Sequence, residues 1–151
     1  MVDIFHEQDG DLSVLENKTI SIIGYGNQGR AQALNLRDSG LNVIVGNIED
    51  NYKKIALKDK FSVYSIKEAT EKSDIIFLLI PDEIMNDTFK KEINPNMKPK
   101  TVLVFASGYN IGFNLFSICL YIFTLLSLLG LLKVLASKYH LYLLAHQKSH
   151  H

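Results

Sequence analysis

Five apolar runs of strand length recur through the first 110 residues, and polar segments, several with helical spacing, lie between them. Residues 18–24 contain Ile20, Ile22 and Ile23 and are apolar on both faces, which predicts a central strand of a parallel sheet. Residues 27–39 switch to helical spacing. Ala31 with Leu34, and Ala33 with Leu36, supply an inward stripe, and Gly40 is a natural stop. Residues 41–46 read as a second buried strand, 51–60 as a short polar helix and 61–64 as a third strand. Ser65-Ile66-Lys67-Glu68 has the pattern of a capping box: the serine hydroxyl takes a free backbone N–H, and the glutamate reaches back. Residues 74–80 predict a fourth strand stopped by Pro81, 82–92 a helix whose first residue Asp82 caps it, 94–100 a loop and 101–107 a fifth strand.

Strands alternating with helical segments argue for βαβ units. Right-handed crossovers then favour an α/β fold of Rossmann type, a parallel sheet flanked by helices, over residues 1–114. The rhythm breaks near residue 114. Residues 101–132 hold no Asp, Glu, Lys or Arg, and residues 115–151 read as a separate apolar, helical C-terminal tail.

The turn Gly24-Tyr25-Gly26-Asn27-Gln28-Gly29 joins the first strand to the first helix. A G-x-G-x-x-G motif in that setting predicts a dinucleotide site. Gly24 allows the tight turn, Gly26 lets a pyrophosphate approach the backbone, and Gly29 lets helix and strand pack closely. The helix N-terminus offers unpaired N–H groups and a positive dipole end. Glu49 lies 20 residues after Gly29 and is followed by Asp50. Carboxylates there accept hydrogen bonds from ribose hydroxyls and repel a 2′-phosphate, so NAD(H) is favoured over NADP(H). Lys53 and Lys54 are close enough in sequence to meet a phosphate, which keeps NADP(H) as the alternative. Pro81, Asp82, Glu83, Ile84 and Met85 follow the fourth strand and fall on the same carboxyl edge of the sheet.

Three segments, DLSVLENKTISIIGYGNQGRAQALNLRDSGLNVIVG, LLIPDEIM and VFASGYNI, resemble the N-terminal domain of ketol-acid reductoisomerase, also called acetohydroxy-acid isomeroreductase. The likeness runs from about residue 4 to about residue 114. It implies a Mg²⁺-dependent alkyl shift in a 2-hydroxy-2-acyl acid followed by hydride transfer from a nicotinamide, a step of valine and isoleucine biosynthesis. It also implies that Tyr25, Gly26, Asn27 and Gln28 hold the cofactor phosphates, that the segment 82–85 lies beside the cofactor, and that the loop after the second strand selects NAD or NADP. Many members carry Arg and Ser in that loop; here it reads NIEDNYKK. Two family histidines are replaced. Ser107 stands for the one treated as an active-site residue, which makes it the candidate catalytic position, and Gly112 stands for the second. A serine can hydrogen-bond but cannot carry a proton near neutral pH as imidazole does. The family's metal-binding carboxylates belong to a helical C-terminal domain, and Mg²⁺ requires hard oxygen ligands. No Asp or Glu follows Glu92, so no metal site is expected in this chain, and it reads as a truncated member.

Three readings of the tail are set side by side. The preferred one is out-of-frame text, because resemblance stops in mid-motif. The second is a membrane helix through 111–132, since 22 residues span about 33 Å. The third is a helix buried on the sheet. The functional alternatives are accordingly a non-catalytic dinucleotide-binding module or gene remnant, or a membrane-tethered dinucleotide-binding protein. Composition narrows the rest. Apolar residues make up 47% of the 151, and 16 basic residues balance 16 acidic ones, so no field favours nucleic acid. One cysteine, Cys119, excludes an internal disulfide framework. The polar, acidic N-terminus lacks the layout of a secretory signal, which predicts a cytoplasmic protein. Nothing in the pattern assigns an oligomeric state.

Overall fold

The structure, a computed structural model, describes residues 12–108 and residue 110. The described residues from Leu15 onward fall in one compact unit. Expectations for the tail, including 111–132 and Cys119, fall on residues outside those described. Among the described residues no helix is long and apolar enough to cross a membrane.

A short 3-10 turn, Leu12–Leu15, precedes the first strand. The elements are then β1 (Thr19–Ile23), α1 (Asn27–Asp38), β2 (Asn42–Gly46), α2 (Asn51–Lys58), β3 (Ser62–Tyr64), α3 (Ile66–Lys72), β4 (Ile75–Leu78), α4 (Asp82–Thr88) and β5 (Val102–Phe105). All strand pairs are parallel, in the order β3-β2-β1-β4-β5. Chain order therefore reverses between β1 and β4, and the strands end on a common carboxyl edge. That reversal opens the crevice in which ligands of doubly wound sheets sit.

The β-branched and aromatic content of β1 and β4 matches their place at the centre, where both faces are covered. Ile22 pairs in register with Val45 and Phe77, and Ile23 with Gly46 and Leu78. On one face Ile23, Ile44, Ile76 and Leu78 pack with Ile66 and Ala69 of α3 and with Met85, Phe89 and Ile93. On the other face α1 comes close enough that a Cβ at Gly29 would lie 3.3 Å from the Ile22 side chain. The buried residues of α1 are Gly29, Ala33 and Leu36. Ala31 is exposed and Leu34 half-buried, so the inward stripe is narrower than its apolar letters suggest.

The capping box forms as the pattern predicts. Ser65 Oγ accepts from Glu68 N–H (3.2 Å), and Glu68 Oε2 accepts from Ser65 N–H (3.1 Å). After β4 the helix is shorter than expected. Pro81, not Asp82, holds the N-cap position, and the α-helix passes at Phe89 into a π-turn, Phe89–Ile93. Phe89 and Ile93, the first and last residues of that turn, are both buried in the core. A 3-10 turn, Asn94–Asn96, then begins the segment expected to be loop.

Candidate dinucleotide site

Gly24 leaves β1 with φ +92°, a conformation that L side chains rarely adopt, and a Cβ there would lie 2.8 Å from the Leu79 carbonyl oxygen. Gly29 is required by proximity: its Cβ would sit 1.9 Å from the Gly24 carbonyl oxygen. Gly26 differs from both. It has φ −69°, and a Cβ built on it would meet nothing within 4 Å. Neither backbone strain nor packing within the chain calls for glycine at that position. Gly26 is also the N-cap of α1, and no side chain caps the helix there. The first-turn N–H groups, at Asn27, Gln28 and Gly29, have no partner within the helix. Asn27 and Gln28 are exposed. An open cradle beside an uncapped, 12-residue helix is what an anionic diphosphate requires, so the residues present fit the cofactor that the motif implies.

Tyr25 is built into the protein. It is 1% exposed, and its ring meets Phe61 edge-on with centroids 5.7 Å apart. Its hydroxyl donates to Asp59 Oδ2 (3.0 Å), which also receives Arg30 Nε (2.7 Å), while Arg30 Nη2 reaches Asp59 Oδ1 (3.2 Å). Arg37 Nη1 donates to the Asp59 carbonyl (2.6 Å) and its guanidinium lies over Phe61. Burial, followed by the Asp59 carboxylate, pushes the Tyr25 hydroxyl well above its ordinary pKa. The Tyr25 N–H is bonded to Asn47 Oδ1 (3.0 Å). Phenol and backbone N–H both face protein partners, so Tyr25 holds the shape of the turn.

Arg30 beside Asp59 holds that carboxyl below the usual aspartate range. The Ser65 hydroxyl does the same for Glu68, and the Thr19 N–H for Asp74. For each of the three the folded-state pKa is depressed. The stability they contribute is complete above the unfolded values, about 4, and is lost as pH falls through the lower folded ones. Thermal midpoints measured from pH 7 to pH 2.5 should fall on the acid side, and Asp59→Asn should make that limb shallower. An unchanged slope in the variant would remove Asp59 from this account.

The loop after β2 starts at Asn47, which is 7% exposed, and continues through Ile48, Glu49 and Asp50. Asp50 is the N-cap of α2, its side chain accepting from Lys53 N–H. Glu49 pairs with the Lys53 ammonium on the surface. Across the crevice Pro81 and Glu83 are exposed, Ile84 is an exposed apolar side chain, Met85 is buried, and Asp82 accepts from Asn110 Nδ2 at Oδ1 (2.9 Å) and at its carbonyl (3.3 Å). Ser107 lies two residues past the end of β5, on the same edge of the sheet. The fold thus brings the glycine turn, the 47–50 loop, 81–85 and Ser107 to one edge. Sequence reasoning passed over Asn47, Arg30, Asp59 and Asn110. Asn47 carried one signal, its place immediately after β2; the other three residues pair across distant parts of the chain, Arg30 with Asp59 and Asn110 with Asp82.

Comparison with known proteins decides the family. The model of the acetohydroxy acid isomeroreductase NADPH-binding domain matches residues 14–126. The chain belongs to this family. A protein of Saccharolobus solfataricus assigned as ketol-acid reductoisomerase 3 is 54% identical over 109 residues, covering 71% of this chain and 33% of that protein. The ketol-acid reductoisomerase (NADP(+)) of Petrotoga mobilis is 50% identical over 114 residues, covering 75% and 34%. Among solved structures, an NADH-preferring ketol-acid reductoisomerase from an uncultured archaeon superposes with a TM-score of 0.74 at 39% identity, over 76% of this chain and 37% of that one. The chain therefore spans about a third of the length of these ketol-acid reductoisomerases, and corresponds to their N-terminal dinucleotide-binding domain.

Proposed function

We propose that this domain binds NAD(H) in preference to NADP(H), and that it serves a ketol-acid reductoisomerase acting on 2-hydroxy-2-acyl acids. The carrying observation is Gly26, a glycine with open space where its side chain would be, at the uncapped start of α1. In this reading the backbone at Gly26, Asn27, Gln28 and Gly29 receives the pyrophosphate, with Gly24 and Tyr25 shaping the turn. Glu49 and Asp50 face the adenosine ribose, and Pro81, Asp82, Glu83, Ile84 and Met85 form the opposite wall. When bound, the nicotinamide would supply the hydride.

The cofactor preference is supported by charge. The loop 47–50 holds two acids and no cation, and the Lys53 ammonium is paired with Glu49. A 2′-phosphate would meet net negative charge there. Lys54 is exposed, and it is the feature that favours NADP(H). Ser107 is the candidate catalytic position, as a neutral hydroxyl at the strand end. The described residues do not fit a two-metal carboxylate site. Among the described residues no group of three or more His, Cys, Asp or Glu is placed to hold a metal ion, and no acid follows Glu92. These 151 residues accordingly supply the binding half of the reaction, in a cytoplasmic setting.

Fluorescence titration with NADH and with NADPH at one fixed salt concentration tests the reading. NADH should bind, with a dissociation constant roughly tenfold or more below that of NADPH, a difference of about 1.4 kcal/mol. Failure of both to bind at millimolar concentration overturns the function, and tighter NADPH binding reverses the preference. Acetolactate, NADH and Mg²⁺ together should give no turnover.

A further inference from the structure

In this class of fold, the carboxylate that reads the adenosine ribose stands at or just after the end of the second strand. Here the first residue past β2 is Asn47, and the protein itself uses its amide. Oδ1 accepts from Tyr25 N–H (3.0 Å); Nδ2 donates to Asp50 Oδ1 (2.8 Å) and to the Ile48 carbonyl (2.9 Å). Both amide hydrogens are therefore engaged, in a side chain 7% exposed. The three bonds tie together the phosphate turn, the 47–50 loop and the start of α2.

Asp50 is fixed by the same network. Its Oδ1 accepts from Asn47 Nδ2 and from Lys53 N–H (3.0 Å), whereas its Oδ2 has no hydrogen-bond partner among the described residues. Glu49 is held differently: its carboxylate is largely solvent-exposed and lies on the Lys53 ammonium. The difference matters for selectivity. A carboxylate on a mobile, exposed side chain can swing away from an approaching phosphate. One anchored by two donors cannot, so its repulsion persists, and its second oxygen is left to accept from a ligand.

We infer that Asn47 is a positioning residue: it locks Asp50 to the glycine turn, so that Asp50 Oδ2 meets the ribose 2′-hydroxyl of NAD(H) while the turn holds the diphosphate. The inference rests on the NAD(H) reading given above. It makes discrimination between NADH and NADPH depend on a side chain that touches no cofactor atom. It also assigns the discriminating role to Asp50 rather than to Glu49, the residue at the motif's sequence spacing.

The test is a double-mutant cycle on binding, with NADH and NADPH as probes. The full chain is titrated as wild type, Asn47→Ala, Asp50→Asn and the double variant, with a thermal midpoint for each. Asp50→Asn keeps an N-cap oxygen and removes the charge, so its fold should hold. Each single variant should lower the ratio of the NADPH to the NADH dissociation constant about tenfold. The double variant should lower it no further, because the two residues act as one unit. Should Asn47→Ala be too unstable to titrate, Asn47→Ser, too short to reach Asp50, must give the same loss of ratio. Equal weakening of both dinucleotides in the Asn47 variant would reduce it to a structural support and overturn the inference. Multiplying effects in the double variant would do the same. A wild type that binds both dinucleotides equally overturns the inference and leaves dinucleotide binding standing; one that binds neither overturns both.

Discussion

Gly29→Ala should destabilise the domain by about 3 kcal/mol or more, while Gly26→Ala should leave it folded and weaken its hold on a dinucleotide. The two substitutions are chemically identical and lie three residues apart, yet they meet opposite surroundings. At residue 29 the new methyl would fall 1.9 Å from the Gly24 carbonyl oxygen, a backbone atom that cannot rotate away. Relief requires α1 to lift from β1, which breaks the packing of Ala33 and Leu36 as well. For a domain of this size the thermal midpoint should drop by more than about 10 °C. At residue 26 the methyl enters open space. Alanine is a poorer N-cap than glycine, which accounts for about 0.5–1 kcal/mol and a few degrees. The same methyl would stand in the path of the diphosphate, and NADH affinity should fall at least about tenfold. Thermal melts and a fluorescence titration on the two variants check this. A Gly26→Ala protein that binds NADH as wild type does would remove the observation on which the functional reading stands.

That contrast also marks where sequence reading stops. All three glycines belong to one motif and look alike in the chain. Their surroundings in the fold separate a glycine required by φ (Gly24) and one required by proximity (Gly29) from one for which the chain alone gives no reason (Gly26). The sheet was legible for a simple reason. A parallel strand covered on both faces must be apolar throughout, so TISII and IIFL announce β1 and β4 without any partner being known. The capping box was legible because both its bonds are local. What stayed hidden was non-local or fine-grained. The Arg30–Asp59 and Tyr25–Asn47 pairs span 29 and 22 residues, and no periodicity marks them. The π-turn at 89–93 stayed hidden because Phe89 and Ile93 are four residues apart, the spacing an ordinary α-helix also gives to one face. Asp82 has the chemistry of an N-cap but lies one residue inside the helix, with its carboxylate on Asn110.

Truncating Tyr25 should cost far more than removing its hydroxyl, and neither change should act through a direct cofactor contact. Tyr25→Ala empties a site that is 1% exposed, between Phe61 and the Asp59–Arg30 pair. Loss of a buried aromatic of this kind costs about 3–5 kcal/mol. The turn it anchors would loosen along with its bond from Tyr25 N–H to Asn47, so NADH affinity should fall together with stability. Tyr25→Phe keeps the ring, the edge-on contact and the backbone bond. It deletes one hydrogen bond to Asp59, which still has both Arg30 nitrogens. The expected cost is about 1 kcal/mol, with the NADH dissociation constant changed by less than roughly threefold. The comparison separates two roles that the glycine motif alone cannot distinguish. If the tyrosine hydroxyl bound phosphate directly, Tyr25→Phe would lose affinity while the melting point barely moved. If, as the geometry has it, Tyr25 works by holding Gly24 and Gly26 in place, affinity must track stability across Phe and Ala, and thermal melts paired with NADH titrations on both variants will show which relation holds.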